Sequence, residues 1–154
     1  MFSVIPPRFD YTVEEINSEI DKCIAECEIA YQQLEQIPLD QCTFDNLIQK
    51  YSLINAQASC IYNPIILLAQ VAVDKEIRDT ARSAEGKIQQ FLLRRVQREA
   101  LYQRVLYVKE KYFPESSSED DSSSDESEDL DRLLVDSLLG GFVEAGMQLR
   151  LVRR

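Results

Sequence analysis

Histidine and tryptophan are absent from this 154-residue sequence, and glycine (four) and proline (five) are scarce. With no imidazole to titrate near neutrality, Ser–His–Asp and Cys–His nucleophile systems are excluded within these residues. A zinc hydrolase centre of the H-E-x-x-H type is excluded too, because both helical ligands are missing. The few Gly and Pro cannot supply the turns of a β-sandwich or barrel, which leaves an all-α fold as the expectation. A hydrophobic content of 45% provides for a core, and a chain of about 150 residues buries roughly two-thirds of its unfolded surface. Long apolar runs are also wanting. Ile65 to Val73, interrupted by Gln70, falls well short of the roughly 20 residues that span a bilayer, so no membrane segment and a cytoplasmic location are expected.

Positive charge is the next shortage, with 17 Lys and Arg against 27 Asp and Glu, a formal net charge of −10. The imbalance is local. Residues 115–131 hold nine acids, seven Ser, one Leu and no base, so the remainder has 18 acids against 17 bases, a net of −1. A nearly neutral body with an acidic segment is a poor match for phosphate, and no nucleic-acid partner is expected.

Four cysteines are present, Cys23, Cys27, Cys42 and Cys60. Met1 to Pro7 lacks both a basic start and a long apolar stretch, so no secretion signal is read and the thiols are expected to be reduced and mostly buried. Cys23 and Cys27 share a helical face. Their C-x3-C spacing differs from the usual C-x2-C of structural zinc and no His completes a set, so core thiols are the expectation and no metal residue is assigned.

Apolar periodicity sets out the elements. Thr12-Val13-Glu14-Glu15 forms a capping box, and Val13, Ile16, Ile20, Cys23, Cys27, Tyr31 and Leu34 recur every three or four residues behind it. That predicts a helix over about 13–36, stopped before Pro38. Thr43 caps a second helix over 44–61 carrying Phe44, Leu47, Ile48, Tyr51, Ile54, Ala58 and Ile61. Asn63-Pro64 reads as cap and first-turn proline of a short buried third helix, 64–73. Ile77, Ala81, Ala84, Ile88, Phe91, Leu92, Val96, Leu101, Val105 and Leu106 predict one long helix over 75–112. Arg94, Arg95, Arg98 and Arg104 give it local positive charge, read as a solvated face paired with Glu99 and other acids. The result is an antiparallel helical array over 1–114.

Residues 115–129 then read as a disordered Ser/Asp/Glu linker, since like charges repel and almost nothing apolar can be buried. Ser116, Ser117, Ser118, Ser122 and Ser123 each have an acid three residues on. That pattern suits acidophilic kinases and makes these serines candidate phosphorylation sites, each modification adding nearly two negative charges. A C-terminal helix and tail occupy 130–154, with Leu134, Leu138 and Phe142 inward and Gly146 as the left-handed stop.

The order of these segments resembles a known family. Phe9-Asp10-Tyr11-Thr12 with Glu14-Glu15-Ile16 resembles the W-D-x-[ST]-x-E-E-I opening of the thimet oligopeptidase, neurolysin and saccharolysin family of zinc metallopeptidases. Asp74-Lys75-Glu76-Ile77-Arg78-Asp79 is similar to its D-K-x-[IL]-R-x segment, and Tyr102-Gln103-Arg104-Val105 to its Y-x-R-[VL] stretch. Phe142-Val143-Glu144-Ala145-Gly146-Met147-Gln148-Leu149 resembles its F-x-x-x-G-[LMI]-x-L sequence. The resemblance spans nearly the whole chain. It implies the N-terminal lobe of a two-lobed, mostly helical peptidase, forming wall of a deep substrate channel. Family members hydrolyse short peptides with a zinc-activated water and a Glu general base. Their H-E-x-x-H helix lies far downstream and matches no position here, so no catalytic or metal residue carries over and zinc belongs only to the full-length family.

The Ser/acidic stretch is longer and more acidic than the family pattern, and after Leu149 the family continues with Pro and another helix, whereas Arg150 to Arg154 follow here. The resemblance therefore implies a truncated lobe, inactive alone, with exposed apolar helix faces awaiting the remainder of a peptidase fold or another protein. The alternative expectation is a stand-alone helical interaction module whose acidic linker is switched by phosphorylation.

Overall fold

A computed structural model describes residues 6–114 and 126–146. The described residues are 84% helical, with no strand among them, so the fold is all-α. They form α1 (Val13–Glu35), α2 (Lys50–Val71), α3 (Lys75–Val96), α4 (Glu99–Tyr112) and α5 (Glu126–Glu144). A 3-10 turn at Leu39–Gln41 and a π-wound turn at Phe44–Gln49 lead into α2. Of the described residues, 6–33 and 51–95 make one compact unit, and 34–50, 96–114 and 126–146 make a second.

In the first unit α1 presents the expected stripe: Ile16, Ile20, Cys23, Cys27 and Tyr31 are buried. Ile16 and Ile20 join Ile65, Leu68 and Ala69 of α2 and Ala81, Ala84 and Ile88 of α3 in one core. The small Ala81 and Ala84 sit among large aliphatic neighbours, the alternation of sizes that lets helices interdigitate. Further along, the Tyr31 ring lies 5.6 Å from Tyr51 and stacks at 6.2 Å on Phe91. Its hydroxyl hydrogen-bonds Asn55 Oδ1 at 2.6 Å, which gives a buried phenol the polar partner it needs.

In the second unit α4 packs on α5. Leu101, Tyr102, Val105 and Val108 are buried from α4, and Val135, Leu139 and Phe142 from α5. Tyr102 meets Phe142 edge-on at 5.8 Å, and Lys109 Nζ pairs with Asp136 at 3.0 Å. Phe44 packs edge-on against Phe113 at 6.2 Å.

Three boundaries and one inward face differ from the sequence reading. Helices 44–61 and 64–73 are continuous: α2 runs through Pro64, which is buried. Proline removes one helical donor and crowds the preceding turn; here the apolar flank Pro64, Ile65, Leu68 and Ala69 is packed against protein, and that burial offsets the loss. Conversely, the 75–112 helix is two helices. Arg98 is extended (φ −79°, ψ 96°) and its carbonyl accepts the amide of Tyr102 at 3.1 Å, opening α4. No Gly or Pro marks this break; its cause is the ion pair described below.

The last two differences concern α5. It begins at Glu126, so 126–129 are helix rather than linker. Glu126, Glu128 and Asp129 occupy its first turn, where the positive end of the helix dipole favours carboxylates and offsets their mutual repulsion. Its inward face is Val135, Leu139 and Phe142, with Leu134 and Leu138 only half-buried. Neighbouring apolar residues such as Leu133, Leu134 and Val135 permit more than one phase of the same period. Gly146 ends the helix as expected, at φ +82°, its amide donating to the Val143 carbonyl at 2.8 Å.

The helical stretch Phe44–Val71 is long and apolar enough, by length and composition alone, to cross a membrane. Joining across Pro64 creates that length. Core helices meet the same measure; here 28% of the most apolar window is buried inside the fold, and Tyr51, Ala58, Ile65, Leu68 and Ala69 are among the buried residues of the stretch.

Packing on α5 is testable. Phe142→Ala, which empties a buried aromatic site, is expected to destabilise the second unit by about 3–5 kcal/mol. Leu133→Ala, at a side chain 65% exposed, is expected to stay within about 0.5 kcal/mol. Urea unfolding of the two variants beside the parent chain measures both.

Candidate functional site

The N-terminal segment is held by charge. Arg8 Nε donates to Asp10 at 2.7 Å, and its Nη2 donates to both oxygens of Glu15 at 2.9 and 3.0 Å. The expected capping box forms on the same carboxylate: Glu15 Oε2 accepts the Thr12 amide at 2.8 Å while Thr12 Oγ1 accepts the Glu15 amide at 3.3 Å. The Thr12 amide, with Arg8 beside it, holds the Glu15 carboxyl below its ordinary range, and Arg8 does the same for Asp10. The guanidinium also lies 4.9 Å from the centre of the Tyr11 ring. So fastened, residues 6–11 border an open groove of about 810 Å3 against Cys60 and Ile61 of α2. A smaller one of about 290 Å3 continues past Asn63, Pro64 and Leu67.

Two other motif segments act as joints. Asp74 Oδ1 accepts the amides of Glu76 and Ile77 at 2.8 and 3.1 Å and so caps α3. Arg78 reaches back to the carbonyls of Ala72 and Val73 at 2.7 and 3.0 Å, closing the exposed end of α2. The Thr43 cap forms with Asn46 in both directions, at 3.1 and 2.8 Å.

The arginines are not one solvated face. Arg94 is exposed and reaches Glu28 only at 4.0 Å, but Arg95, Arg98 and Arg104 are half-buried. Arg98 Nη1 donates to both oxygens of Glu35 at 2.8 and 2.9 Å, with the side chains 16% and 21% exposed. Arg104 donates to the Ile37 and Ala100 carbonyls, both at 2.9 Å. Charge-assisted bonds in this half-dry setting are about twice as strong as neutral ones. They explain the extended backbone at Arg98: a continuous helix would carry its side chain elsewhere.

Cys23, Cys27 and Cys42 are buried and Cys60 is half-buried, all four as free thiols. The Cys42 thiol contacts the Pro38 carbonyl at 3.4 Å. The neighbouring Cys27 and burial together push the Cys23 thiol up. Both line a groove of about 250 Å3 between α1 and α2.

This donor set does not fit a catalytic zinc. The sequence has no imidazole, and among the described residues no three Cys, Asp or Glu side chains converge as ligands. Ser116, Ser117, Ser118, Ser122 and Ser123 lie outside the described residues. What the structure does display is apolar side chains in solvent: Val73 is 96% exposed, Leu130 66% and Leu133 65%, with Val71, Ile29 and Leu93 also more than half exposed. The groove beside 6–11 was beyond sequence reasoning, since it arises where α1, α2 and the N-terminal segment meet. Only the shared face of the two thiols was visible, in their spacing.

No family model matches the chain.

The Arg98–Glu35 pair can be weighed directly. Arg98→Ala is expected to cost about 1.5–3 kcal/mol, the range for hydrogen bonds to charged groups. Glu35→Ala should cost about as much and the double variant less than the sum, which a double-mutant cycle by chemical denaturation reads out. Acid should loosen the N-terminal segment separately. The lowered Glu15 carboxyl holds the Thr12 amide above the ordinary carboxylate range, and the hold is lost as pH falls through that lowered value. Thr12 amide exchange, followed by NMR relative to its intrinsic rate, should accelerate there, and Glu15→Gln, which has no carboxyl to titrate, should abolish that step.

Proposed function

We propose that this chain is the N-terminal part of the non-catalytic lobe of a zinc oligopeptidase of the thimet oligopeptidase, neurolysin and saccharolysin kind. It would form substrate-channel wall in the cytoplasm, contribute no metal ligand, and be inactive alone. One observation carries the reading: the residues of the resemblance are those that join or close the helices. Thr12 and Glu15 cap α1 with Arg8 on the same carboxylate, Asp74 caps α3 while Arg78 closes α2, and Arg104 ties α4 to the Ile37 carbonyl. Tyr102 and Phe142 meet between α4 and α5, and Gly146 ends α5. Such residues define a scaffold, which is the part a channel wall would play. The exposed Val71, Val73, Leu130 and Leu133 are then faces that the remainder of the lobe covers, in keeping with the rule that large exposed apolar areas mark interaction sites.

A second reading, a helical interaction module with a phosphorylatable acidic segment, is favoured by α5 itself. Its exposed Leu130, Leu133 and Val143 follow an acidic first turn, an arrangement suited to a basic, apolar protein partner.

Mass separates the two. An antibody to residues 10–22, followed by intact mass spectrometry of the endogenous protein, is expected to find a species several times heavier than 17.8 kDa. A species at 17.8 kDa, or raised only by phosphates, would replace the first reading with the second. The purified chain with added zinc is expected to show no chelator-sensitive cleavage of a quenched peptide; turnover traced to this chain would overturn the non-catalytic assignment.

A further inference from the structure

Helix α5 is apolar on two sides, and only one of them is packed into the core. Val135, Leu139 and Phe142 are buried, with Phe142 against Tyr102 of α4. On the other side Leu130, Leu133, Leu134, Ser137, Leu138 and Gly141 fall at i, i+3, i+4, i+7, i+8 and i+11, the spacing of a second helical face. Leu130, Leu133 and Ser137 are exposed, and Leu134, Leu138 and Gly141 half-buried. A side chain added at Gly140 or Gly141 would meet no atom within 4 Å, so the C-terminal half of this face has room for a bulky group. Glycine inside a helix costs stability, and no contact among the described residues calls for it here.

Charge selects what would cover such a face. From Glu126 to Glu144 the helix carries six acids and one base, Arg132, and residues 115–125 precede it with five acids and no base. Lys109 of α4 meets Asp136 and leaves the helix rich in acid. A second copy would set acid against acid, and anionic lipid or nucleic acid is repelled for the same reason. A basic amphipathic helix suits both features, its apolar side lying on the leucines and its Lys and Arg flanks facing the carboxylates. We propose that this second face of α5 binds a basic amphipathic helix of another protein, with Leu130 and Leu133 as the apolar anchors. The proposal rests on the reading of the chain as an interaction module and gives the chemistry of its partner.

The test is titration of a fluorescent peptide with the full chain, followed by anisotropy. The probe contains only Leu and Lys, with Leu at i, i+3, i+4 and i+7, and has about 18 residues, above the length at which isolated helices are marginal. Saturable binding is expected, weakened by about 10-fold or more when salt rises from about 0.05 to 0.5 M. A peptide of the same composition with the spacing scrambled should bind at least about 10-fold more weakly. Leu130→Ser/Leu133→Ser should lose about as much, since two anchor side chains then stay in water. Leu39→Ser/Leu67→Ser, at exposed leucines elsewhere, should keep the parent affinity. Far-ultraviolet circular dichroism checks that each variant is helical. Amide-shift mapping on the parent chain, which needs no variant, should place the peptide on α5. Equal binding of the scrambled peptide, undiminished binding by the Leu130/Leu133 variant, shifts confined to other helices, or no saturable binding would each overturn the proposal. Dimerisation, or flotation with neutral-lipid vesicles, that is lost in the Leu130/Leu133 variant would give the face to a second copy or a membrane instead. The two readings fail separately: an endogenous species several times heavier than 17.8 kDa would displace the interaction module, whereas the titration on the purified chain decides the docking face.

Discussion

The apolar stripe of α1 is the constraint on which the rest of the chain depends. Ile16, Ile20, Cys23, Cys27, Tyr31 and Leu34 are all buried, an unbroken sequence of contacts at helical spacing along nearly the whole element. Ile16, Ile20, Cys23, Cys27 and Tyr31 supply core to the first unit, and Leu34, just past the division at residues 33–34, is buried in the second. Little else in the sequence is as regular. α2 is apolar on more than one side, α3 carries much of its surface as charge, and α5 could rotate among several leucine faces. A helix with a single possible inward face is what gives such neighbours a fixed surface to pack upon.

Charge finishes what the stripe begins, and it does so at chain ends rather than across open faces. Arg8, Arg78, Arg98 and Arg104 all put guanidinium groups on carboxylates or carbonyls where a helix starts, stops or turns. An exposed ion pair along a helix, such as Lys75 with Asp79, contributes a few tenths of a kcal/mol. A guanidinium bound to an otherwise unpaired terminal carbonyl also removes a desolvation cost, so it does more for stability than its exposed counterparts. Composition reported a charge imbalance; location decides which of those charges matter.

The contrast explains which parts of the fold were legible. The capping box at Thr12, the cap at Thr43, the α1 face and the stop at Gly146 depend on residues within one or two turns of each other, and they stand as read. Pro64 and Arg98 depart from the sequence reading in opposite directions. Proline is a local breaker, but its neighbours Ile65, Leu68 and Ala69 gain more from staying in one helix against the core than the lost hydrogen bond costs. Nothing local breaks the chain at Gln97-Arg98; the cause is Glu35, 63 residues away in sequence. The α5 start misled for a related reason: acids at 126–129 repel one another in an extended chain but are welcome at a helix N-terminus. Of the candidate sites, only the Cys23–Cys27 face was visible beforehand.

The two thiols of α1 obey the same constraint as the rest of its stripe. Cys23 and Cys27 are buried on the face that Ile16, Ile20 and Tyr31 share, where a small polarizable side chain fills space between larger neighbours. Ala58, Ala81 and Ala84 do the same on α2 and α3. Burial also penalises a bare thiolate, so a thiol in this stripe packs as a small apolar group. The periodicity that fixes the inward face of α1 therefore also fixes where its cysteines lie.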